Sequence, residues 1–197
     1  MSLLFETIKI AGGKIINLPL HKERMNRSRY ELFGAKDIIH IEDFIKVMPE
    51  MENIIIRCRV IYDLSVRSVE YSQYKANEIK TIKLVDGDSI DYSYKYLDRS
   101  SLNVLVDKRL ADDILIIKNG YVTDCSFANI VFHDGYRWIT PNTPLLRGTM
   151  REMLLKHGVI KEETIMVDEL QRFSHFRLIN SMLGFEAPVL PVKNIII

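Results

Sequence analysis

The hydrophobic and polar positions of the chain form short segments of two kinds, those that alternate and those that repeat at helical spacing. Segments typical of strands lie at residues 3–10, 14–17, 53–62, 67–75, 79–85, 114–117, 129–132, 137–140 and 177–180. Segments typical of helices lie at residues 20–33, 41–48, 100–110, 149–157 and 168–173. The mixture predicts an α+β protein with two sheets, or two halves of one sandwich-like core.

Turn residues fix several boundaries of these segments. Gly34 and Gly158 stand where two of the helices should end, and Pro49 should stop the helix predicted over residues 41–48. The three strand segments between residues 53 and 85 follow one another closely, which favours an antiparallel sheet. The helix predicted over residues 100–110 has an apolar stripe made of Leu102, Leu105, Val106 and Leu110.

The sequence Asp86-Gly87-Asp88-Ser89 is the most plausible boundary between two halves of the chain. It predicts a smaller N-terminal α+β domain over residues 1–88 and a larger C-terminal domain over residues 89–197. The larger domain would carry Lys95 and most of the candidate chemistry.

The composition is that of an ordinary globular chain of 197 residues, with 47% hydrophobic and 27% charged residues. A net charge of +1 argues neither for a nucleic-acid partner nor for an acidic tail, and we expect no nucleic-acid partner. Two cysteines are too few for a disulfide framework and fit a reducing compartment. No apolar run approaches the length of a membrane span, and the N-terminus lacks the pattern of a signal peptide. We therefore expect a cytoplasmic protein without a membrane partner.

Lys95 stands between Tyr94 and Tyr96, just before a predicted helix. Most lysines are solvated surface charges, and that reading is the more common one for a lysine considered alone. Flanking tyrosines would crowd and partly desolvate the amine, which favours its neutral, nucleophilic form. Such an amine can form an imine with a carbonyl compound.

Asp124 follows the predicted hairpin turn at Asn119-Gly120. An aspartate there is usually a turn or cap residue. If it is buried, however, it can hold a pyridinium nitrogen protonated and make the ring an electron sink. A lysine and such a carboxylate are the two groups that a pyridoxal phosphate site needs.

Two segments could bind an anion such as a phosphate. The helix predicted from Thr149 begins after Gly148, and helix N-termini present free N–H groups at the positive end of the helix dipole. Arg24 lies one helical turn after His21, and its planar guanidinium suits phosphate or carboxylate. The alternatives are a plain glycine-containing N-terminus and a solvated basic helix face.

Arg57 and Arg59 lie on one face of an otherwise apolar strand. Two arginines in such a strand indicate either a pocket for an anionic ligand or a sheet face that is open to water.

Other chemistries find little support. The five histidines show no metal-ligand spacing, so no metal is expected. Neither a phosphate-binding P-loop, nor a dinucleotide-binding glycine motif, nor a nucleophile elbow is present.

The order of these motifs resembles that of one family. Phe5-Glu6-Thr7 matches its opening strand, His21 with Arg24 matches its H-x-x-R helix, and Lys95 falls where its Schiff-base lysine stands. The second half matches its V-T-E…N segment at 122–129, its L-x-G-x-x-R helix start at 146–151 and its closing segment at 180–189. The chain is thus similar, over nearly its whole length, to the class IV aminotransferases, which include D-amino acid and branched-chain aminotransferases and 4-amino-4-deoxychorismate lyase.

This resemblance implies a two-domain α+β fold of the D-amino acid aminotransferase type, a homodimer and pyridoxal 5'-phosphate as cofactor. It implies that Lys95 is the catalytic Schiff-base residue and that Asp124 contacts the pyridine ring. It also implies a phosphate site formed by Arg24, Gly148, Thr149 and Met150. Ser181, Met182 and Arg59 are the candidate contacts for a small amino substrate.

The chain departs from the family pattern at Asp124, where the family has glutamate, which is longer by one methylene. Tyr62-Asp63 replaces a glycine after a strand, and the chain starts and stops closer to the motifs than most members do. These departures put the pyridine contact and some substrate contacts in doubt.

Two reactions compete within the family. Residues 95–99 resemble the K-x-L-N-R segment of 4-amino-4-deoxychorismate lyase, and residues 123–129 resemble its T-E-C-x-x-A-N segment. The lyase releases pyruvate and forms 4-aminobenzoate. The alternatives are a D-amino acid or branched-chain transaminase and, less favoured, a pyridoxal phosphate-binding protein without turnover.

Overall fold

The computed structural model describes residues 2–197, which divide into two compact units. The first contains the chain up to Ala76 together with Tyr94–Asp98, and the second contains Asn77–Ser93 and Arg99–Ile197. The domain boundary expected after residue 88 stays a prediction. In these units, which follow backbone packing, residues 77–88 belong with the C-terminal part and Lys95 with the N-terminal part.

The first unit contains one four-stranded sheet and one long helix. Its elements are β1 (Leu4–Ala11), β2 (Lys14–Ile15), α1 (Leu18–Phe33), β3 (Ile56–Tyr62) and β4 (Val66–Gln73). The strand order is β2-β1-β3-β4, and all neighbouring strands are antiparallel. The predicted hairpin, first helix and two following strands are thereby confirmed.

The two faces of this sheet differ in chemistry. On the first face, which packs on α1, Leu4, Ile8 and Val60 belong to a buried apolar core that also includes Met25 of the helix. On the second face, Thr7 stands opposite Arg59 and Lys9 stands opposite Arg57. Since side chains along a strand point alternately to the two faces, Glu6 lies on the core face and Phe5 on the basic one.

Helix α1 ends at Gly34, as predicted. Gly34 adopts a φ of 70°, and its N–H donates to the carbonyl of Tyr30 at 2.9 Å. A residue with a side chain would be strained in this left-handed conformation, so the glycine allows the chain to leave the helix.

The helix predicted over residues 41–48 is wrong, because only Ile41–Phe44 forms a short 3-10 turn. The N–H of Lys46, which a continuing helix would bond to its own backbone, instead donates to the Tyr71 hydroxyl at 2.7 Å. The segment also contains Ile41, Asp43, Ile45 and Val47, which have only modest helix propensity.

The second unit contains nine strands and two short helices within residues 77–197. They are β5 (Ile82–Asp86), α2 (Ser100–Asn103), β6 (Asp113–Lys118), β7 (Tyr121–Cys125), β8 (Asn129–His133), β9 (Trp138–Pro141), α3 (Thr149–Lys156), β10 (Ile160–Glu163), β11 (His175–Ile179), β12 (Leu190–Pro191) and β13 (Ile195–Ile196). One sheet has the order β13-β5-β6-β7 and the other has the order β10-β9-β8-β11-β12. The pairing of β8 with β9 and the end of α3 before Gly158 are as predicted.

Two predictions for this unit are wrong. The segment at residues 79–85 does not extend the first sheet, because β5 pairs in parallel with β6 and β13 of another sheet. The helix predicted over residues 100–110 stops at Asn103, and Leu110 of its supposed apolar stripe is 54% exposed. Asp107 accepts the N–H of Arg109 at 3.0 Å, a local bond that competes with helical hydrogen bonding.

The described part of the chain has no helix that is both long and apolar enough to span a membrane.

Candidate active site

In the first unit, two side chains of α1 form hydrogen bonds to the buried carboxylate of Glu6. Arg24 donates from Nε to Glu6 Oε1 at 2.9 Å and from Nη2 to Oε2 at 2.5 Å. His21 lies one helical turn earlier, and its Nδ1 is 2.6 Å from Glu6 Oε2. All three residues are buried. A bidentate contact of this kind fixes the plane of the guanidinium as well as its position.

The partners of Glu6 keep it ionised. Burial alone would raise its pKa, but the charge on Arg24 and the hydrogen bonds from His21 and Arg24 outweigh burial and lower the pKa to about 2. For His21, burial lowers the pKa, although contact with Glu6 opposes that shift. A neutral His21 then donates its Nδ1 proton to the carboxylate.

Lys95 is held beside β1 by its backbone. Its carbonyl accepts the N–H of Phe5 at 3.0 Å, and the N–H of Leu97 donates to the carbonyl of Leu3 at 2.9 Å. The ammonium Nζ lies 4.7 Å from the centre of the Phe5 ring. The charge on Lys95 also contributes to the lowered pKa of His21. The structure therefore brings two predicted site residues, Lys95 and Arg24, to the same end of β1.

Arg59, a third predicted residue, also reaches Phe5. Its guanidinium carbon lies 5.2 Å from the centre of the ring. Its Nε is buried and has no hydrogen-bond partner within residues 2–197. Arg57, two positions earlier on the same face, differs because its Nε donates to Ser72 Oγ at 3.2 Å.

In the second unit, Asp124 is buried at the end of β7 and is fixed by two donors. Asn129 Nδ2 donates to its Oδ1 at 2.7 Å, and the N–H of Leu146 donates to its Oδ2 at 3.0 Å. Asn129 Nδ2 also donates to the carbonyl of Leu146 at 2.8 Å. Asp124 is therefore a rigid buried carboxylate and not a turn residue facing water.

The environment of Asp124 favours its protonated form. Burial raises its pKa from 3.8 to about 6, although the bonds from Leu146 and Asn129 and the charge on Arg151 oppose the shift. A cationic N–H donor beside this carboxylate would favour ionisation, and a pyridinium nitrogen is such a donor.

The predicted anion site at the start of α3 is packed against the same asparagine. A Cβ added to Gly148 would lie 2.0 Å from Asn129 Oδ1, so no larger residue fits without displacing the group that holds Asp124. Thr149 and Met150 follow as the first residues of the helix and are both buried. The first N–H groups of a helix have no acceptor within the helix, and they suit an anion.

Ser181 and Met182 lie in a turn that follows β11. Asn180 Oδ1 accepts the N–H groups of Met182 and Leu183, both at 2.9 Å. Asn180 Nδ2 in turn donates to the carbonyl of Phe127 at 3.3 Å. The turn is thus tied to the β7–β8 loop, which starts after Cys125.

Glu6 and Asn129 are the residues whose roles sequence reasoning missed, since both entered only as parts of matching motifs. A glutamate in the middle of an apolar strand was the available signal, because a buried carboxylate requires cationic or N–H partners. No comparable signal marked Asn129, whose importance comes from the close approach of Gly148.

Each unit carries groups that fit pyridoxal phosphate. The first offers a fixed amine and a buried guanidinium. The second offers a helix start, where Gly148 packs on Asn129, and a buried carboxylate with a raised pKa. The family model for aminotransferase class IV matches residues 3–195 of the chain. The chain belongs to the class IV aminotransferase family.

Alignments with relatives cover nearly the whole length of this class IV family member. An uncharacterized protein of Haemophilus influenzae is 44% identical and aligns with 92% of the chain and 98% of its own length. A structure of a proposed 4-amino-4-deoxychorismate lyase from Haemophilus somnus has a TM-score of 0.86 and 34% identity, covering 94% and 98% of the two chains. The pyridoxal phosphate-bound structure of a hypothetical aminotransferase from Mycobacterium tuberculosis shares the fold. It is 18% identical, has a TM-score of 0.75 and covers 96% and 80% of the two chains.

We predict that Glu6→Gln destabilises this class IV family member by about 3 kcal/mol at pH 7, because it removes the counter-charge of a buried arginine. The folded pKa of Glu6 lies below its ordinary value of 4.5, so its stabilisation is complete above pH 4.5 and is lost as pH falls through about 2. Urea unfolding at pH 7, 4.5 and 3 should therefore show the variant approaching wild type as the solution becomes more acidic.

Glu23→Gln is the matched control, since Glu23 lies on α1, is 65% exposed and stands 3.7 Å from Arg27. It should leave the free energy of unfolding essentially unchanged. A constant difference between Glu6→Gln and wild type at every pH would show that the charge of Glu6 is not what stabilises the fold.

For Asp124 the change of folding stability with pH has the opposite sign. Its folded pKa of about 6 exceeds its ordinary value of 3.8, so folding favours the protonated form. Without cofactor, wild type should lose up to about 3 kcal/mol of stability as pH rises from 4 to 6, and Asp124→Asn should lack this slope. Unfolding measured at both pH values tests this, with Asp43→Asn, at an exposed site, expected to keep the wild-type slope. If the free energy of unfolding changed with pH equally in wild type and Asp124→Asn, the raised pKa of Asp124 would be contradicted.

Proposed function

We propose that the protein is a pyridoxal phosphate-dependent lyase that acts on 4-amino-4-deoxychorismate or a close analogue, releasing pyruvate and forming 4-aminobenzoate. The observation that supports the cofactor assignment is the environment of Asp124. This buried carboxylate is fixed by two hydrogen-bond donors, and its pKa is raised to about 6. Such a group can share a proton with a pyridine nitrogen. When bound, the cofactor supplies an electron-poor ring that withdraws electrons from the substrate.

The residues of the first unit would hold the phosphate and carry out proton transfer. Arg24 binds the phosphate dianion, while Glu6 fixes the guanidinium plane through Nε and Nη2. Lys95 binds the cofactor carbonyl through its amine and, once released, is the base at the reacting carbon. Phe5, beneath Nζ, restricts the directions that the amine can take.

The residues of the second unit would hold the ring and offer N–H groups to phosphate. Asp124 accepts the N–H of the pyridine nitrogen, and Asn129 keeps that carboxylate in place. The N–H groups of Thr149 and Met150 bind phosphate, and Gly148 permits the close approach. Ser181, Met182 and Arg59 are the proposed substrate contacts.

In the proposed reaction, Lys95 removes the proton from the ring carbon that bears the substrate amine. The bond between the neighbouring ring carbon and the enolpyruvyl oxygen breaks, and the ring becomes aromatic. The departing enol gains a proton and leaves as pyruvate. No keto-acid acceptor is consumed, which separates this reaction from transamination.

Similarity to relatives favours the lyase over the transaminase. The 34% identical structure from Haemophilus somnus and a 26% identical protein of Schizosaccharomyces pombe are both described as proposed aminodeoxychorismate lyases. The S. pombe alignment covers 91% of this chain and 86% of that protein. We further propose a homodimer working in the cytoplasm, in line with the low cysteine content.

We predict that the purified protein, after incubation with pyridoxal phosphate, shows the yellow absorbance of lysine-bound cofactor. Borohydride should fix the cofactor covalently on Lys95, which peptide mass spectrometry can locate. Lys95→Ala should abolish the band, while Lys75→Ala, at an exposed lysine, should retain it. Wild-type protein without a band would overturn the cofactor assignment.

We also predict that the loaded protein releases pyruvate from 4-amino-4-deoxychorismate without any added keto acid. A lactate dehydrogenase-coupled assay measures this release, and chromatography measures 4-aminobenzoate. Transfer of an amino group from D-alanine, L-leucine or L-glutamate to 2-oxoglutarate would instead identify a transaminase. Loaded protein that is inactive in both assays would be a binding protein without turnover.

A further inference from the structure

Helix α3 carries a buried cation that has no part in the proposed function. The side chain of Arg151 is fully buried, and its Nη1 donates to Glu152 Oε1 at 3.0 Å. Its Nη2 donates to the carbonyl of Pro141 at 2.8 Å and also pairs with Glu162. Its Nε is buried too and has no hydrogen-bond partner within residues 2–197. A buried charge of this kind is costly, and an apolar residue of similar volume would pack there at lower cost.

The contact with Pro141 closes the loop between β9 and α3. Pro141 is the last residue of β9, and Arg151 is the third residue of α3, so the guanidinium joins the two ends of the loop. Inside the loop, the N–H of Leu146 donates to Asp124 Oδ2 at 3.0 Å. The loop that Arg151 closes is therefore the loop that holds Asp124.

The charge on Arg151 acts on the same carboxylate. Burial raises the pKa of Asp124 to about 6, and the charge on Arg151 is one of the influences that oppose the rise. No ion pair joins the two groups in the described chain, so this charge acts through space. The neighbouring Cys125 stays uncharged, because burial and the charges on Asp113 and Asp124 raise its pKa. The contacts that close the loop thus also fix a cation that favours the ionised form of Asp124.

We propose that Arg151 is the positioning residue for Asp124, because it holds the loop of Leu146 on the carboxylate and keeps a positive charge near it. The inference rests on the proposed function, since it takes Asp124 as the acceptor of the pyridine N–H. An ionised and immobile carboxylate accepts that N–H, whereas a protonated one presents its own hydrogen atom. Arg151 therefore acts through Asp124.

The amide of Leu146 reports the ionisation of Asp124, since its N–H donates directly to that carboxylate. Nuclear magnetic resonance of the full-length protein without cofactor follows the chemical shift of this amide as pH rises. In wild type the shift should change with a midpoint of about 6. In Arg151→Met the midpoint should move upward by roughly one pH unit, because a nearby opposite charge is lost.

Hydrogen exchange of the same amide tests whether the loop stays closed. In Arg151→Met, the N–H of Leu146 should exchange about tenfold faster relative to that of Phe132, as expected when one hydrogen bond is lost. Phe132 lies on β8, the central strand of its sheet, and reports the stability of the whole unit. A purely structural Arg151 would accelerate both amides together and leave their ratio and the midpoint unchanged.

Two further variants separate charge from position. Arg137→Met is the matched control, because Arg137 pairs with Asp134 and Glu163 but is 47% exposed. It should leave the midpoint and the exchange ratio as in wild type. Arg151→Lys keeps the charge without the planar fork of donors. It should keep a midpoint near that of wild type but still exchange the Leu146 amide faster, and it tests the loop even if Arg151→Met does not fold.

An unchanged midpoint or an unchanged exchange ratio in Arg151→Met would overturn the proposal, as would an unchanged ratio in Arg151→Lys. These measurements do not depend on the absorbance band. Protein without a band, but with both predicted changes in Arg151→Met, would refute the proposed function and keep Arg151 as the residue that positions Asp124. Protein with the band and pyruvate release, but with neither change, would keep the function and refute the role of Arg151.

Discussion

The carboxylate of Glu6 is the constraint on which the first unit depends. An isolated charge inside the apolar core between β1 and α1 would cost several kcal/mol. Arg24 and His21 compensate this cost through three short contacts, so the helix can pack only with one face and one register against the strand. The same contacts fix a guanidinium at the end of the strand where Lys95 is paired. Folding and the proposed phosphate site therefore depend on one interaction.

The side chains of β1 point alternately to the two faces of the sheet, and each face has a different role. Glu6 points toward the helix and holds Arg24, whereas Phe5 points to the opposite face and contacts Lys95 and Arg59. In the second unit, Asn129 has a similar double task. Its amide fixes Asp124, and its oxygen lies so close to Gly148 that a side chain there is excluded. Both arrangements place candidate functional groups on strands and helix starts, which are rigid supports.

Sequence reasoning failed where a local pattern was overruled by a side-chain hydrogen bond or by a partner distant in sequence. The segments at residues 41–48 and 100–110 have apolar residues at helical spacing, but Tyr71 takes the N–H of Lys46, and Asp107 takes that of Arg109. Tyr94 and Tyr96, which flank Lys95, pack against the apolar core of the first unit, and Phe5 supplies the ring beneath the amine, a contact that the sequence did not indicate. The pairing of β5 with β6 could not be predicted from the sequence either, because residues 82–86 and 113–118 are far apart along the chain.

The sequence by itself determined the α+β class, the helix end at Gly34, the β1–β2 hairpin and the family, because these depend on local turn chemistry and on motifs in a fixed order. It also singled out Arg24, Lys95, Asp124 and Gly148 as candidates. Only the tertiary structure decided that Asp124 is buried with a raised pKa, that Glu6 orients Arg24, and that Arg59 shares an aromatic ring with Lys95. Burial, pKa and charge proximity arise from residues that meet only when strands pair, so no single stretch of sequence contains them.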